Sequence, residues 1–125
     1  MQARAAAIAY KKVFLDSAPP TRVLDELYGR LLLDLEQAKD GIIRKDIRAK
    51  GEALGHAHRI LDELGLALNH EAAPELSENL ALLYAYCGSQ LISANLNMDP
   101  KPLDEAQRIL AGLRDSFRKA TGIAQ

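Results

Sequence analysis

The feature that most constrains this chain is the spacing of its apolar residues. They recur at steps of three and four residues in four long blocks, and the two-residue alternation of a β-strand is never sustained. Steps of three and four place apolar side chains along one face of an α-helix. The spacing therefore predicts an all-α fold built from four long helices.

Capping residues bound the first two predicted helices. Thr21 follows a proline pair and is predicted to cap a helix over about residues 21–42. Asp46 is predicted to cap a second helix, whose apolar stripe ends before Asn69. The two stripes are Leu24, Leu27, Leu31, Leu35, Ala38 and Ile42, and then Ile47, Leu54, Ala57, Leu61, Leu64 and Leu68.

Prolines mark the starts of the last two predicted helices. Pro74 suits the first turn of the third helix, and Asp99 and Pro100 are predicted as the cap and first residue of the fourth. Their stripes are Leu76, Leu80, Leu83, Cys87, Leu91 and Ala94, and then Leu103, Ala106, Leu110, Leu113 and Phe117. The third helix also carries apolar residues between its stripe positions, at Leu82, Tyr84, Tyr86 and Ile92. We therefore expect it to be the most buried helix or to be covered on a second side.

Four helices of similar length joined by short connections predict an antiparallel four-helix bundle over residues 21–120. Residues 1–20 hold only a short apolar patch ahead of the proline pair, so they are predicted to form a mobile N-terminal arm. Residues 121–125 are predicted to be a C-terminal tail.

Composition limits which partners the protein is expected to bind and which cellular compartment it is expected to occupy. The formal net charge is −1, so no overall field favours nucleic acid or an anionic membrane. No apolar run reaches the length of about 20 residues that crosses a bilayer, and no membrane insertion is expected. The single cysteine, Cys87, lies on a core stripe and suits a reducing compartment. We expect a cytoplasmic protein.

Catalytic and metal-binding patterns are missing from the sequence. His56 and His58 are two residues apart on a helix, so their side chains point in different directions and cannot share one ion. None of the histidines has a glutamate three residues before it, as a dimetal bundle would require. We expect no metal, no cofactor and no enzymatic activity, and a metal-dependent bundle is the rival hypothesis. Excess apolar surface instead favours binding of an amphipathic helix.

Several short strings occur in an order that resembles the FliS family of flagellin chaperones. In the first helix the similarity lies in Pro20, Leu24, Leu27, Tyr28 and Gly29. Its most specific block is Ser77, Asn79, Leu80, Leu83, Tyr84, Tyr86, Leu91, Ala94 and Asn95, followed by Asp99, Leu103, Leu113 and Arg114. The resemblance covers about 115 residues, and a generic bundle would not reproduce these polar positions.

The resemblance implies a function in flagellar export. A protein of this family is expected to bind the C-terminal segment of unassembled flagellin, prevent premature polymerisation and support delivery to the export apparatus, with the export gate as a further partner. The candidate partner-binding residues are Ile8, Tyr10, Ala57, Ile60, Leu64, Leu80 and Tyr84. Ile8 and Tyr10 resemble an apolar pair in the family's arm, which would cover the empty groove and contact the export machinery once the client displaces it. The alternative is that the pair simply attaches the N-terminus to the bundle.

Two other hypotheses assign no enzymatic activity to the same bundle. In the first, the protein is a helical adaptor of another secretion or assembly system and binds a different client. In the second, an uncovered groove pairs with its own copy in a structural homodimer.

Overall fold

The computed structural model describes residues 2–14 and 20–123, and every regular element in these ranges is an α-helix. The all-α prediction is confirmed. The helices are α1 Gln2–Phe14, α2 Thr21–Ile43, α3 Ile47–Leu66, α4 Pro74–Asn97 and α5 Lys101–Thr121. Met1 and residues 15–19 of the predicted arm, and the last two residues of the predicted tail, lie outside the described residues.

Helices α2 to α5 pack in a ring, in which α2 and α4 each lie beside both α3 and α5. Side-chain contacts show the helix directions. Asp25 of α2 binds Arg118 of α5, whereas Lys39, further along α2, binds Asp104 near the start of α5. These two helices therefore run antiparallel.

The same is true of α3 and α4. Lys50 near the start of α3 reaches the carbonyl oxygen of Asn95 near the end of α4. Further along α3, His58 lies beside Gly88, which comes earlier in α4. Because the order of contacts is reversed between the two helices, they run in opposite directions.

The predicted stripes supply most of the core. Leu31, Leu35 and Ala38 of α2 are fully buried, and so are Cys87, Leu91 and Ala94 of α4. Burial raises the pKa of the Cys87 thiol to about 11, with a smaller contribution from Glu105, so Cys87 is a neutral core residue at neutral pH. Ile47 departs from the prediction, because 61% of its surface is exposed at the first turn of α3.

Two of the predicted helix starts differ from the structure. Thr21 is the first residue of α2 and makes no capping bond, because Pro20 occupies the N-cap position. Helix α5 begins at Lys101, with Pro100 at the N-cap, although the Asp99 carboxylate still accepts the N–H of Lys101 at 3.0 Å.

The other starts agree with the prediction. The Asp46 carboxylate accepts the N–H of Ala49 at 3.0 Å, and Pro74 lies in the first turn of α4. Helix α3 ends at Leu66, two residues before the end of its predicted stripe. These differences are small, since helix boundaries commonly vary by one or two residues.

The segment predicted as an arm contains a fifth helix, α1. It packs against α5 and α4, and it places Val13 and Phe14 in the core. The backbone N–H of Asn69 donates to the carbonyl oxygen of Val13. The described part of this segment is therefore attached to the bundle, and its predicted mobility stays a prediction.

Helices α2 and α3 approach each other closely at Gly41. A Cβ atom at this position would lie 2.9 Å from the backbone nitrogen of Lys50, which is closer than such atoms pack. The short turn between the two helices holds them there, since the N–H of Asp46 donates to the carbonyl oxygen of Gly41 at 2.8 Å. Only glycine lets the two backbones come this close.

Replacing Gly41 by alanine is therefore expected to lower the free energy of unfolding by about 1–3 kcal/mol, because the new methyl group meets backbone rather than a flexible side chain. Gly112→Ala is the matched control. Gly112 is an exposed position of α5 where the new Cβ meets no neighbouring part of the protein within 4 Å, so stability should rise by up to about 1 kcal/mol. Urea unfolding measures both changes, and equal stabilisation by the two substitutions would contradict the close approach.

Candidate binding groove

An apolar groove of about 520 Å³ lies between α3 and α4. Its lining residues are His58, Leu61, Asp62, Gly65, Leu66, Ala81, Tyr84, Ala85 and Gly88. Leu61 and Tyr84 are buried at its base, whereas the α4 positions facing it are the small residues Ala81, Ala85 and Gly88. Small side chains leave room for bulky ones from another molecule. We call this surface the α3–α4 groove.

Large apolar side chains are exposed at Leu66, which lines the groove, and on the outward face of α4. On α4, Leu82, Ile92 and Leu96 have 63%, 52% and 77% of their surface in solvent, and Leu66 at the end of α3 has 86%. Leu82, Ala85, Ser89, Ile92 and Leu96 follow at steps of three and four residues, so they share one outward face of α4. Scattered exposed leucines are ordinary, but large apolar residues that share one helix face next to a groove are typical of a docking surface.

A pair of buried tyrosines lies behind the groove. The hydroxyl oxygens of Tyr28 and Tyr84 are 2.5 Å apart, in hydrogen-bond contact. Burial raises the pKa of Tyr84 to about 12, although its hydrogen bond to Tyr28 acts in the opposite direction. Burial also raises the pKa of Tyr28, and the neighbouring Tyr84 adds to this effect. Both hydroxyls are thus neutral, and they satisfy each other inside an apolar core.

Helix α1 covers a different apolar surface, centred on Phe117. The rings of Tyr10 and Phe14 meet the Phe117 ring edge to face, at centroid distances of 5.6 and 5.8 Å. The Tyr28 ring lies on Phe117 as well, at 5.9 Å. Among the described residues of α1, none lines the α3–α4 groove. The two apolar surfaces are separate, although Tyr28 and Tyr84 connect them.

The structure places the predicted binding residues in three different environments. Tyr84 is at the base of the groove, Tyr10 is half-buried against Phe117, and Ile8 is 55% exposed on α1. The remaining four, Ala57, Ile60, Leu64 and Leu80, are buried in the bundle core. The predicted set thus follows the core stripes, whereas the open groove lies one position further around α3 and α4.

Sequence reasoning missed most of the groove residues, including His58, Ala81, Ala85 and Gly88. The sequence feature that could have revealed the groove is the presence of apolar residues all around α4, because its predicted core stripe does not include Leu82 and Ile92. Small residues such as Ala85 and Gly88 carry little hydrophobic signal, and only the packing of two helices makes them a groove.

A larger cavity of about 930 Å³ lies on the other side of α3, against α2, and most of its lining residues carry charged or ionisable side chains. Its buried carboxylate, Asp34, contacts Nδ1 of His56 at 2.5 Å and Nε of Arg30 at 3.3 Å. Arg44 in the same cavity pairs with Asp40 at 3.0 Å. These charges bind one another and hold α2 to α3.

Within residues 2–14 and 20–123, no three His, Cys, Asp or Glu side chains lie together as a group that could hold a metal ion. No helix in the same ranges has the length and apolar content needed to cross a membrane.

Comparisons with known proteins point to one family. A family model described as "Flagellar protein FliS" matches residues 1–124. The flagellar secretion chaperone FliS of Vibrio cholerae is 32% identical over 113 residues, covering 87% of this chain and 83% of the relative. FliSB of Pseudomonas aeruginosa, also named a flagellar secretion chaperone, is 32% identical over 121 residues, covering 94% and 96%. FliS of Salmonella typhimurium is 30% identical over 116 residues, covering 89% and 86%.

A helical bundle with an open apolar groove has the form of a protein that binds helices. The match over nearly the whole chain is specific, and the chain belongs to the FliS family of flagellar secretion chaperones. The resemblance inferred from the sequence is confirmed. FliS proteins are a chaperone family rather than a class of enzymes.

The tyrosine pair predicts a loss of stability at alkaline pH. Because burial raises the pKa of Tyr84 to about 12, above the value of about 10 in an unfolded chain, the folded state holds its proton more tightly. This contribution is complete below about pH 10 and is lost as the pH rises through about 12. Urea unfolding of the wild type at pH 8 and pH 11 should show the loss.

The matched variant is Tyr28→Phe with Tyr84→Phe, which removes both hydroxyls and leaves neither unpaired. Its stability should fall less between the same two pH values, and the remaining loss belongs to other groups such as Cys87. An unchanged alkaline loss in this variant would rule out the tyrosine pair as its source.

The ring contacts of α1 predict that its two candidate binding residues, Tyr10 and Ile8, contribute unequally to stability. Tyr10→Ala removes an aromatic ring that packs on Phe117, so the free energy of unfolding should fall by about 2 kcal/mol or more. Ile8→Ala alters a mainly exposed side chain and should change stability by less than about 0.5 kcal/mol. Thermal unfolding tests this pair, and the prediction fails if the two variants melt together.

Proposed function

We propose that the protein is a cytoplasmic export chaperone that binds the C-terminal segment of unassembled flagellin in the α3–α4 groove. In this role it prevents premature polymerisation and supports delivery of the subunit to the flagellar export apparatus. The observation that supports the proposal most directly is the open apolar groove with its exposed rim, in a chain whose relatives are named flagellar secretion chaperones.

The groove suits an amphipathic helix from the client. Bulky apolar side chains would fill the space above Ala81, Ala85 and Gly88, while Leu66 and Leu82 would close over them from the rim. The binding free energy would come from buried apolar area, at roughly 25 cal/mol per Å². The conformational entropy that a disordered segment loses when it becomes ordered reduces this binding free energy, which keeps such binding reversible.

A chaperone of this kind acts by covering the apolar face of its client. A client helix held in the groove cannot pack its apolar face against another flagellin subunit, so polymerisation is prevented until the client is released. This mechanism requires no nucleotide, metal or other cofactor. Ile8, exposed on α1, remains the candidate contact for the export gate.

Co-expression with the flagellin of the same organism tests the proposal. The wild-type protein should co-elute with flagellin in size-exclusion chromatography, and with flagellin shortened at its C-terminus it should not. Ile92→Glu places a charge on the groove rim and should weaken binding at least about tenfold, because the carboxylate loses water without gaining a partner. Leu33→Glu, at a similarly exposed position of α2, is the control and should bind normally.

Two other outcomes of this experiment would contradict the proposal, each in a different part. Equal weakening by both substitutions would remove the groove from the proposal, because Leu33 lies outside it. Failure of the wild type to bind flagellin would overturn the proposed client and favour the helical adaptor of another secretion or assembly system.

A further inference from the structure

A histidine, His58, lines the α3–α4 groove. Its ring reaches towards α4, where Cε1 lies 3.9 Å from the position that a Cβ atom on Gly88 would occupy. The side chain is partly exposed. In the described part of the chain, the histidine that forms an ion pair is His56, which binds Asp34 on the far side of α3, and His58 forms none. A molecule bound in the groove would therefore cover an imidazole ring that has no charged partner.

The charged groups around His58 are few. On α3, Asp62 lies one turn further along the same face and is exposed, and Arg59 directs its guanidinium towards Gly55. On α4, no Asp, Glu, Lys, Arg or His occurs from residue 79 to residue 97. Helix α2 packs on the other side of α3, where its charged side chains line the separate ionic cavity. The groove thus presents His58 with one exposed carboxylate and an uncharged facing helix.

Tyr84 is the ionisable α4 residue among those that line the groove. Because burial raises its pKa to about 12, the Tyr84 hydroxyl is neutral throughout the range from pH 5 to pH 8. Histidine is the side chain whose charge ordinarily changes within that range. A change of pH between these values therefore alters the charge of the groove through His58.

We infer that His58 makes client binding in the α3–α4 groove dependent on pH, because the neutral imidazole accepts an apolar helix face above it and the imidazolium opposes one. This inference rests on the proposed function, since it concerns the regulation of the same groove. The binding-competent form is the neutral one. Affinity for the client is therefore highest near pH 8 and falls as the pH is lowered.

The direction of the effect follows from hydration. A bound client replaces water around the ring with apolar side chains, and a charge that loses water without gaining a partner is far more costly than a neutral polar group. Asp62 compensates only in part, because an exposed carboxylate is screened by solvent. The proton on His58 must leave before the client binds, so the apparent affinity falls with the fraction of neutral imidazole.

The test is the affinity for monomeric flagellin of the same organism, measured by isothermal titration calorimetry at about pH 8 and about pH 5.5. Wild-type affinity should fall on the order of fivefold to tenfold at the lower pH. His58→Gln is uncharged at both values and should bind almost equally well at both. His58→Lys is charged at both values and should bind weakly at both.

Two further variants separate His58 from other titrating groups. His70→Gln is the matched control, because His70 is exposed in the turn after α3 and does not line the groove, and it should keep the wild-type fall in affinity. Asp62→Asn removes the nearest carboxylate and should enlarge the fall. A smaller fall in Asp62→Asn would contradict the inference. Urea unfolding at both pH values verifies that each variant is folded.

Equal wild-type affinity at the two pH values would overturn the inference and leave the proposed function standing. An equal fall in wild type and in His58→Gln would overturn it as well, since the titrating group would then belong to the client or to another part of the protein. If flagellin fails to bind the wild type at about pH 8, the proposed function fails first and the inference fails with it.

Discussion

Phe117 and the hydroxyl pair of Tyr28 and Tyr84 are the contacts on which the rest of the structure depends. Helix α1 packs its aromatic rings on Phe117, α2 and α4 supply the two tyrosines, and α5 supplies Phe117 itself. Tyr84 also reaches the groove beside Leu61 of α3. A buried hydroxyl is stable only with a partner, so this pair specifies how α2 and α4 face each other across the core.

Ion pairs with a buried carboxylate join some of the helices to one another. No buried charged side chain is found among the described residues that line the groove. Asp34 binds α3 through His56, and Asp25 binds Arg114 and Arg118 of α5. Burial by itself would raise the pKa of Asp25, but the two arginines outweigh it and the pKa is lowered, so this carboxylate is charged. Such pairs favour one geometry more than they add stability. The α3–α4 groove is lined mainly by apolar and small residues, and this leaves it available to a partner.

Much of the fold was predictable, for reasons that particular residues make clear. Leu31 and Cys87 lie where the helical period of the apolar residues placed them, and Asp46 caps α3 because its carboxylate needs only the next turn. Helix α1 was missed, since its apolar patch is short and its stability comes from Phe117, more than a hundred residues away in the sequence. Contacts between distant residues cannot be read from local periodicity.

The sequence by itself determined the all-α class, the four long helices, most of the core and the FliS family, because helical period and residue order are local properties of the chain. Only the tertiary structure decided which apolar residues are buried and which form a surface. Ile60 and Leu80 are buried in the core, while Ile92 and Leu96, equally apolar, remain in solvent. Periodicity specifies the faces of a helix, but packing against neighbours decides which face is covered.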